Sequence, residues 1–280
     1  MLEFVLFGFL FLTVTVFVLA YWPKAPQVPR SPAPPPSPSR ETHIVTAERR
    51  VALVIGNSAY TSIRALTNPV NDAAVLAGAL SRIGFEVVEE RDLGIVQMRR
   101  VLRDFEDKAA GADWAVLYYS GHGLELGGKN WLIPVDALLR RASDLPDEAV
   151  PAERVLDRLS VASKLRVVIF DACRVNPSVV RMKMGKGIRQ TVAQGLAPIE
   201  PSRGDVVFYA ARHGTVAADG PGANSPFATA LAKHLDDEGV ELGRFFRRVT
   251  SDVLAATGNR QEPFVYGSIP DEDFYFKPQR

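Results

Sequence analysis

Five short apolar runs, rich in β-branched and aromatic residues and separated by segments of helical periodicity, constrain this chain more than any other feature. They are VALVIGN (Val51 to Asn57), FEVVEE (Phe85 to Glu90), WAVLYYS (Trp114 to Ser120), LRVVIFD (Leu165 to Asp171) and DVVFYAA (Asp205 to Ala211). Near-continuous apolar runs of this length read as central strands covered on both faces. The intervening spacing predicts helices near Asn71 to Ile83, Val96 to Ala110 and Pro151 to Ala162, with two more near Pro226 to Asp236 and Leu242 to Ala256. Such alternation defines an α/β fold, a mainly parallel β-sheet flanked by helices and joined by right-handed crossovers.

The chain ahead of residue 49 has a different character. From Phe4 to Trp22 there are 19 consecutive uncharged residues, which at about 1.5 Å per helical residue span roughly a 30 Å hydrocarbon core. Residues 1–22 are therefore expected to form one transmembrane anchor helix, with Tyr21 and Trp22 at the interface and Lys24 beside the headgroups. A cleaved signal helix is the alternative, although the start Met-Leu-Glu lacks the usual positive charge. Lys24, Arg30 and Arg40 follow the span and favour a cytoplasmic position for the rest, a periplasmic or secreted one being the alternative. Residues 23–48 hold the Pro-rich run PKAPQVPRSPAPPPSPSR, an extended spacer, and residues 49–280 the folded domain.

Composition removes several function classes. The 33 basic residues are balanced by 32 acidic ones, a formal net charge of +1, so no field exists to hold nucleic acid. The single cysteine, Cys173, rules out an intramolecular disulfide and is either a core thiol or a reactive one. Two runs carry the chemistry. WAVLYYSGHG places Ser120, Gly121, His122 and Gly123 directly after one apolar run, and VVIFDACR places Asp171 and Cys173 after another. Ligands of open α/β sheets bind beyond the strand carboxyl ends, where two strands can deliver an imidazole and a thiol together. Imidazole and thiolate are the base and nucleophile of cysteine-dependent acyl transfer. The glycines flanking His122 allow close backbone approach, and the Gly123 amide is a candidate oxyanion donor.

Through YYSGHG, DACR, NPVNDA and WLIPVDA, residues 49 to 276 resemble the caspase and metacaspase family of cysteine peptidases, particularly its bacterial caspase-like members. The resemblance implies a caspase-like α/β fold, Cys173 as nucleophile, His122 as base and general acid, and the Gly123 and Cys173 amides as oxyanion hole. Animal caspases carry a glutamine two residues before the cysteine, whereas this chain has Asp171. That departure resembles metacaspases, in which Asp171 and Asp72 would line an acidic first pocket, with Ser120 adding a hydroxyl. The implied substrates are peptides with arginine or lysine at the cleaved bond. Asp72 is equally readable as a charge favoured by a helix N-terminus.

Some metacaspases bind calcium on an acidic loop after the histidine. Asp136, Asp144, Asp147 and Glu148 occupy that region here without a calcium-loop pattern, so no cofactor and no metal is expected, calcium dependence being the alternative. The basic run RMKMGKGIRQ (Arg181 to Gln190) reads as an exposed connection and a candidate self-cleavage site. His43, His213 and His234 read as structural, with no identifiable partner. The expected function is a membrane-anchored, monomeric cysteine endopeptidase. The alternatives are a catalytically silent interaction module of the same fold, or a legumain-like or gingipain-like peptidase with similar His-Gly and Ala-Cys motifs.

Overall fold

The computed structural model describes residues 48–174, 196–212 and 222–279, the side chains of Cys173 and Arg174 excepted. The expected span at 4–22, the spacer up to 47, His43, the basic run at 181–190 and His213 lie outside the described residues. Among the described residues, no helix is long and apolar enough to cross a membrane.

In chain order the elements are β1 (Arg50–Gly56), α1 (Pro69–Arg82), β2 (Glu86–Arg91), α2 (Ile95–Ala109), β3 (Trp114–Leu126), β4 (Lys129–Leu132), α3 (Leu145–Glu148), β5 (Val150–Pro151), α4 (Glu153–Leu159), β6 (Leu165–Arg174), β7 (Asp205–Tyr209), α5 (Pro226–Leu235), α6 (Leu242–Thr257) and β8 (Phe264–Gly267). The main sheet runs β2-β1-β3-β6-β7-β8. Its first five strands pair in parallel and β8 closes one edge antiparallel to β7. This is the expected mainly parallel α/β architecture. Strand order reverses between β1 and β3, which makes the gap beyond their carboxyl ends the switch point where such sheets bind ligands.

Successive strand residues point to opposite faces, so each central strand feeds two cores. Ala52, Val54, Trp114, Val116, Tyr118, Val167 and Ile169 pack with the buried faces of α1, α5 and α6, where Leu76, Phe227, Phe245 and Phe246 lie. Leu53, Ile55, Leu117, Tyr119, Val168 and Phe170 pack on the other side against Met98, Leu102 and Phe105 of α2 and Val155 and Leu159 of α4. Each fully buried large side chain of this kind is worth about 1.5–3 kcal/mol. A third, smaller cluster, with Tyr60, Leu124, Trp131, Ile133 and Leu145, fills the space beneath the β4 region.

Three expectations need correction. FEVVEE is not a central strand: β2 lies at the sheet edge, and its exposed Glu86, Glu89 and Arg91 discourage further pairing there. The helix expected over residues 151 to 162 is shorter, Glu153–Leu159. Most consequentially, β3 and β6 do not end at Ser120 and Asp171 but continue to Leu126 and Arg174. The cause is β4, which pairs antiparallel with Gly123 to Leu126 through a two-residue turn at Gly127 and Gly128. Both turn glycines have positive φ (62° and 79°), as a tight hairpin turn of this kind requires.

At Gly56 the start of α1 approaches β1 so closely that a Cβ would stand 2.3 Å from the Pro69 carbonyl oxygen and 2.8 Å from the Ala73 Cβ. Gly56→Ala is expected to lower folding stability by about 1–3 kcal/mol, as overpacking does. Urea denaturation checks this, and an unchanged midpoint would mean the helix start yields without cost.

Candidate active site

The parallel pairing of β3 with β6 runs from Trp114↔Leu165 to Gly123↔Arg174 and makes Ser120↔Asp171 and His122↔Cys173 register partners. Neighbouring strands lie about 4.8 Å apart, so the backbones of the histidine and the cysteine are held one strand spacing from each other. The ladder sets the backbones of the two residues side by side, inside the sheet rather than in turns beyond it.

The His122 backbone is fixed by two tyrosines that sequence reasoning did not single out. Its amide donates to the Tyr60 hydroxyl at 2.7 Å, and its carbonyl accepts from the Tyr119 hydroxyl at 2.9 Å and from the Ile133 amide at 3.0 Å. Tyr60 comes from the segment after β1, and its ring lies 4.4 Å from the imidazole, centroid to centroid. Burial pushes the Tyr60 and Tyr119 hydroxyls well above the ordinary tyrosine range, so both remain neutral hydrogen-bonding groups. Gly121 is required by close approach, since a Cβ there would stand 2.7 Å from both hydroxyl oxygens.

The imidazole is 2.7 Å through Nε2 from the Arg64 carbonyl oxygen. A carbonyl only accepts, so Nε2 carries the hydrogen, and in the neutral ring Nδ1 is the nitrogen able to take a proton. His122 is 6% exposed, so its neighbourhood excludes most water.

On the α1 and α5 side, Asp72, Ser120 and Asp171 come together. Asp72 sits in the first turn of α1, where the helix dipole favours it, and its carboxylate also reaches across the sheet end. It accepts from the Ser225 amide (2.9 Å), the Asn224 side-chain amide (3.0 Å) and the Ser120 hydroxyl (3.4 Å). Asp171 accepts from the Tyr118 hydroxyl (2.9 Å) and the Ser225 hydroxyl (2.6 Å). Both carboxylates are nearly inaccessible, at 1% and 4% exposure. Burial, and then the charges of Asp171 and Asp72, hold the Tyr118 hydroxyl far above its ordinary range, so it stays a donor. Ser225 is also the N-cap of α5, accepting from the Ala228 amide at 2.9 Å. The sequence did carry that signal, because Ser-Pro ahead of an apolar helical run marks a helix start.

Gly123 follows His122 in β3, and a Cβ there would stand 3.1 Å from both Ala172 and Leu196. The remaining candidates lie elsewhere. Asp136 accepts from the Ile95 amide, Glu148 from the Leu138 and Leu139 amides, and Asp144 from the Ser143 hydroxyl. These acidic residues therefore brace separate loops, and among the described residues no group of three or more metal-ligating side chains gathers. His234 does have partners, contrary to expectation: Asp237 at 2.7 Å from Nδ1 and Asp252 at 3.0 Å from Nε2, which tie α5 to α6.

A histidine and a cysteine in register on adjacent parallel strands, beside the switch point of a helix-flanked sheet, define a caspase-like α/β domain. The caspase domain family matches residues 49–275, and the chain belongs to that family. Over 103 residues, 37% of this chain, it is 34% identical to the human mucosa-associated lymphoid tissue lymphoma translocation protein 1. Over 102 residues, 36% of this chain, it is 33% identical to the mouse homolog of that protein. The matched stretch is 12% of the length of each of these relatives.

Ser225→Ala removes a helix cap and a hydrogen bond to a buried carboxylate together, and is expected to cost about 1–3 kcal/mol of stability. Ser225→Thr, which keeps the hydroxyl, should retain most of it. Equal denaturation midpoints for the alanine variant and the parent would show that the bridge contributes nothing.

Proposed function

We propose that the chain is a cysteine-type endopeptidase of metacaspase type that cleaves peptide bonds after arginine or lysine. The observation that carries this reading is the His122↔Cys173 register, with the imidazole oriented through Nε2 on the Arg64 carbonyl. In the proposed reaction Nδ1 accepts the Cys173 thiol proton, and the thiolate sulfur attacks the scissile carbonyl carbon. The oxyanion is received by the Gly123 and Cys173 amides. The carbon–nitrogen bond breaks as His122 returns the proton to the departing amine, and water then hydrolyses the thioester with His122 again as base.

Specificity is assigned to Asp72, Asp171 and Ser120. Two desolvated carboxylates in one hydrogen-bonded cluster favour a cation in the first substrate pocket, and a planar guanidinium meets both better than an ammonium does. Arginine is thus preferred to lysine. No cofactor enters the reaction. We further propose that the enzyme acts as a monomer, tethered to a membrane by residues 4–22 with the domain on the cytoplasmic side, and that the 181–190 segment is a self-processing site.

The test compares fluorogenic peptides ending in arginine, lysine and aspartate, with and without calcium. Cleavage after arginine is expected to vanish in Cys173→Ala. Asp72→Asn and Asp171→Asn should each lower kcat/KM for arginine substrates by about tenfold or more while aspartate substrates stay uncleaved. Preference for aspartate would remove the pocket assignment, and absence of any Cys173-dependent cleavage would leave the interaction module.

A further inference from the structure

A cleft of about 160 Å³ opens between α2, the 146–151 segment and α4, away from the His122 site. Four arginines line it, Arg99 and Arg103 from α2 and Arg154 and Arg158 from α4, and among the described residues no carboxylate does. Leu102 and Trp131 supply an apolar wall.

Each helix carries its two arginines four residues apart, so they share one face, and like charges at this spacing oppose helix formation. Only part of that charge is answered within the chain. Arg99 donates to the carbonyl oxygens of Pro146 (2.8 Å) and Asp147 (3.1 Å), and Arg158 pairs with Glu106. The Arg99 contacts fix the guanidinium without neutralising it. Arg103 and Arg154 are exposed and make no ion pair or hydrogen bond among the described residues. The arrangement is a concave site in which three of four guanidinium groups have no ion pair, one of the three being held in place by carbonyl oxygens, with an aromatic wall.

We propose that this cleft binds a multivalent oxyanion of the phosphate class, free or carried by a nucleotide. Guanidinium groups converging from two helices match phosphate oxygens with bidentate, charge-assisted hydrogen bonds. The cleft's size suits one or two phosphate groups rather than a macromolecular surface. The site does not rest on peptidase activity, and its test is a binding measurement.

The experiment titrates the purified full-length chain, by calorimetry at constant ionic strength, with pyrophosphate and with ATP, using sodium chloride as the blank. One binding event per chain is expected for both ligands, and tighter binding of ATP would identify the nucleotide as the source. The double variant Arg103→Gln, Arg154→Gln removes two exposed side chains that make no ion pair or side-chain hydrogen bond among the described residues, so its fold should persist, as checked by an unchanged thermal midpoint without ligand. Its dissociation constant is expected to rise by about tenfold or more for each arginine lost. Heat no greater than the salt blank, or an affinity unaltered in the double variant, would overturn the proposal.

Discussion

The ten-position parallel ladder between β3 and β6 is the constraint on which the rest depends. Its register sets which residues face which core, because a shift of one position would exchange the two faces of the strand. Trp114, Val116 and Tyr118 would leave the α1, α5 and α6 side, and Ala115, Leu117 and Tyr119 would take their places. The burial of so many large side chains fixes the register far more firmly than hydrogen bonds between strands alone. The same register brings Ser120 beside Asp171 and His122 beside Cys173, so the packing of the core also aligns the site.

Placing the site inside the ladder has a structural cost that the surroundings offset. A strand carried past its apolar run exposes polar backbone to a crowded region, and buried amides and carbonyls must find partners. Here β4, Ile133 after it and the hydroxyls of Tyr60 and Tyr119 meet one side of the extension, and β6 meets the other. The two carboxylates are satisfied in the same way, by hydroxyls and amides delivered from β3, α5 and the residues just before α5. Neither cluster belongs to one element. The His122 cluster joins β3 to the segments after β1 and β4, and the carboxylate cluster joins β3 and β6 to the starts of α1 and α5.

Much of this was legible in the residues. The five apolar runs located five strands, and the helical spacing located the longer helices to within a few residues, because amphipathic periodicity over ten or more residues is a strong signal. His122 and Cys173 stood out because their types and their positions after apolar runs are unusual, whereas the pocket reading of Asp72, Ser120 and Asp171 came only from the resemblance to metacaspases. What escaped was set by partners distant in sequence. SGHG and DACR read as turns because glycine and polar residues normally end strands, and only the pairing with β4 and with each other extends them. The Gly127-Gly128 hairpin signal was present and overlooked. Tyr60, the Arg64 carbonyl and Asn224 carry no local signature, since a loop tyrosine or a backbone oxygen acquires its role only when the chain closes.

The two bonds of Ser225 join the pocket to the stability of a helix. One hydroxyl donates to Asp171 and accepts from the first turn of α5. A cation bound at Asp171, as proposed above, would compete for the carboxylate or polarise it, and the strength of the cap would change accordingly. By reciprocity, fraying the start of α5 would change cation binding by the same coupling free energy, with the same sign. Occupancy of the proposed pocket would then be recorded in how fast the amide of Ala228 exchanges its hydrogen with solvent.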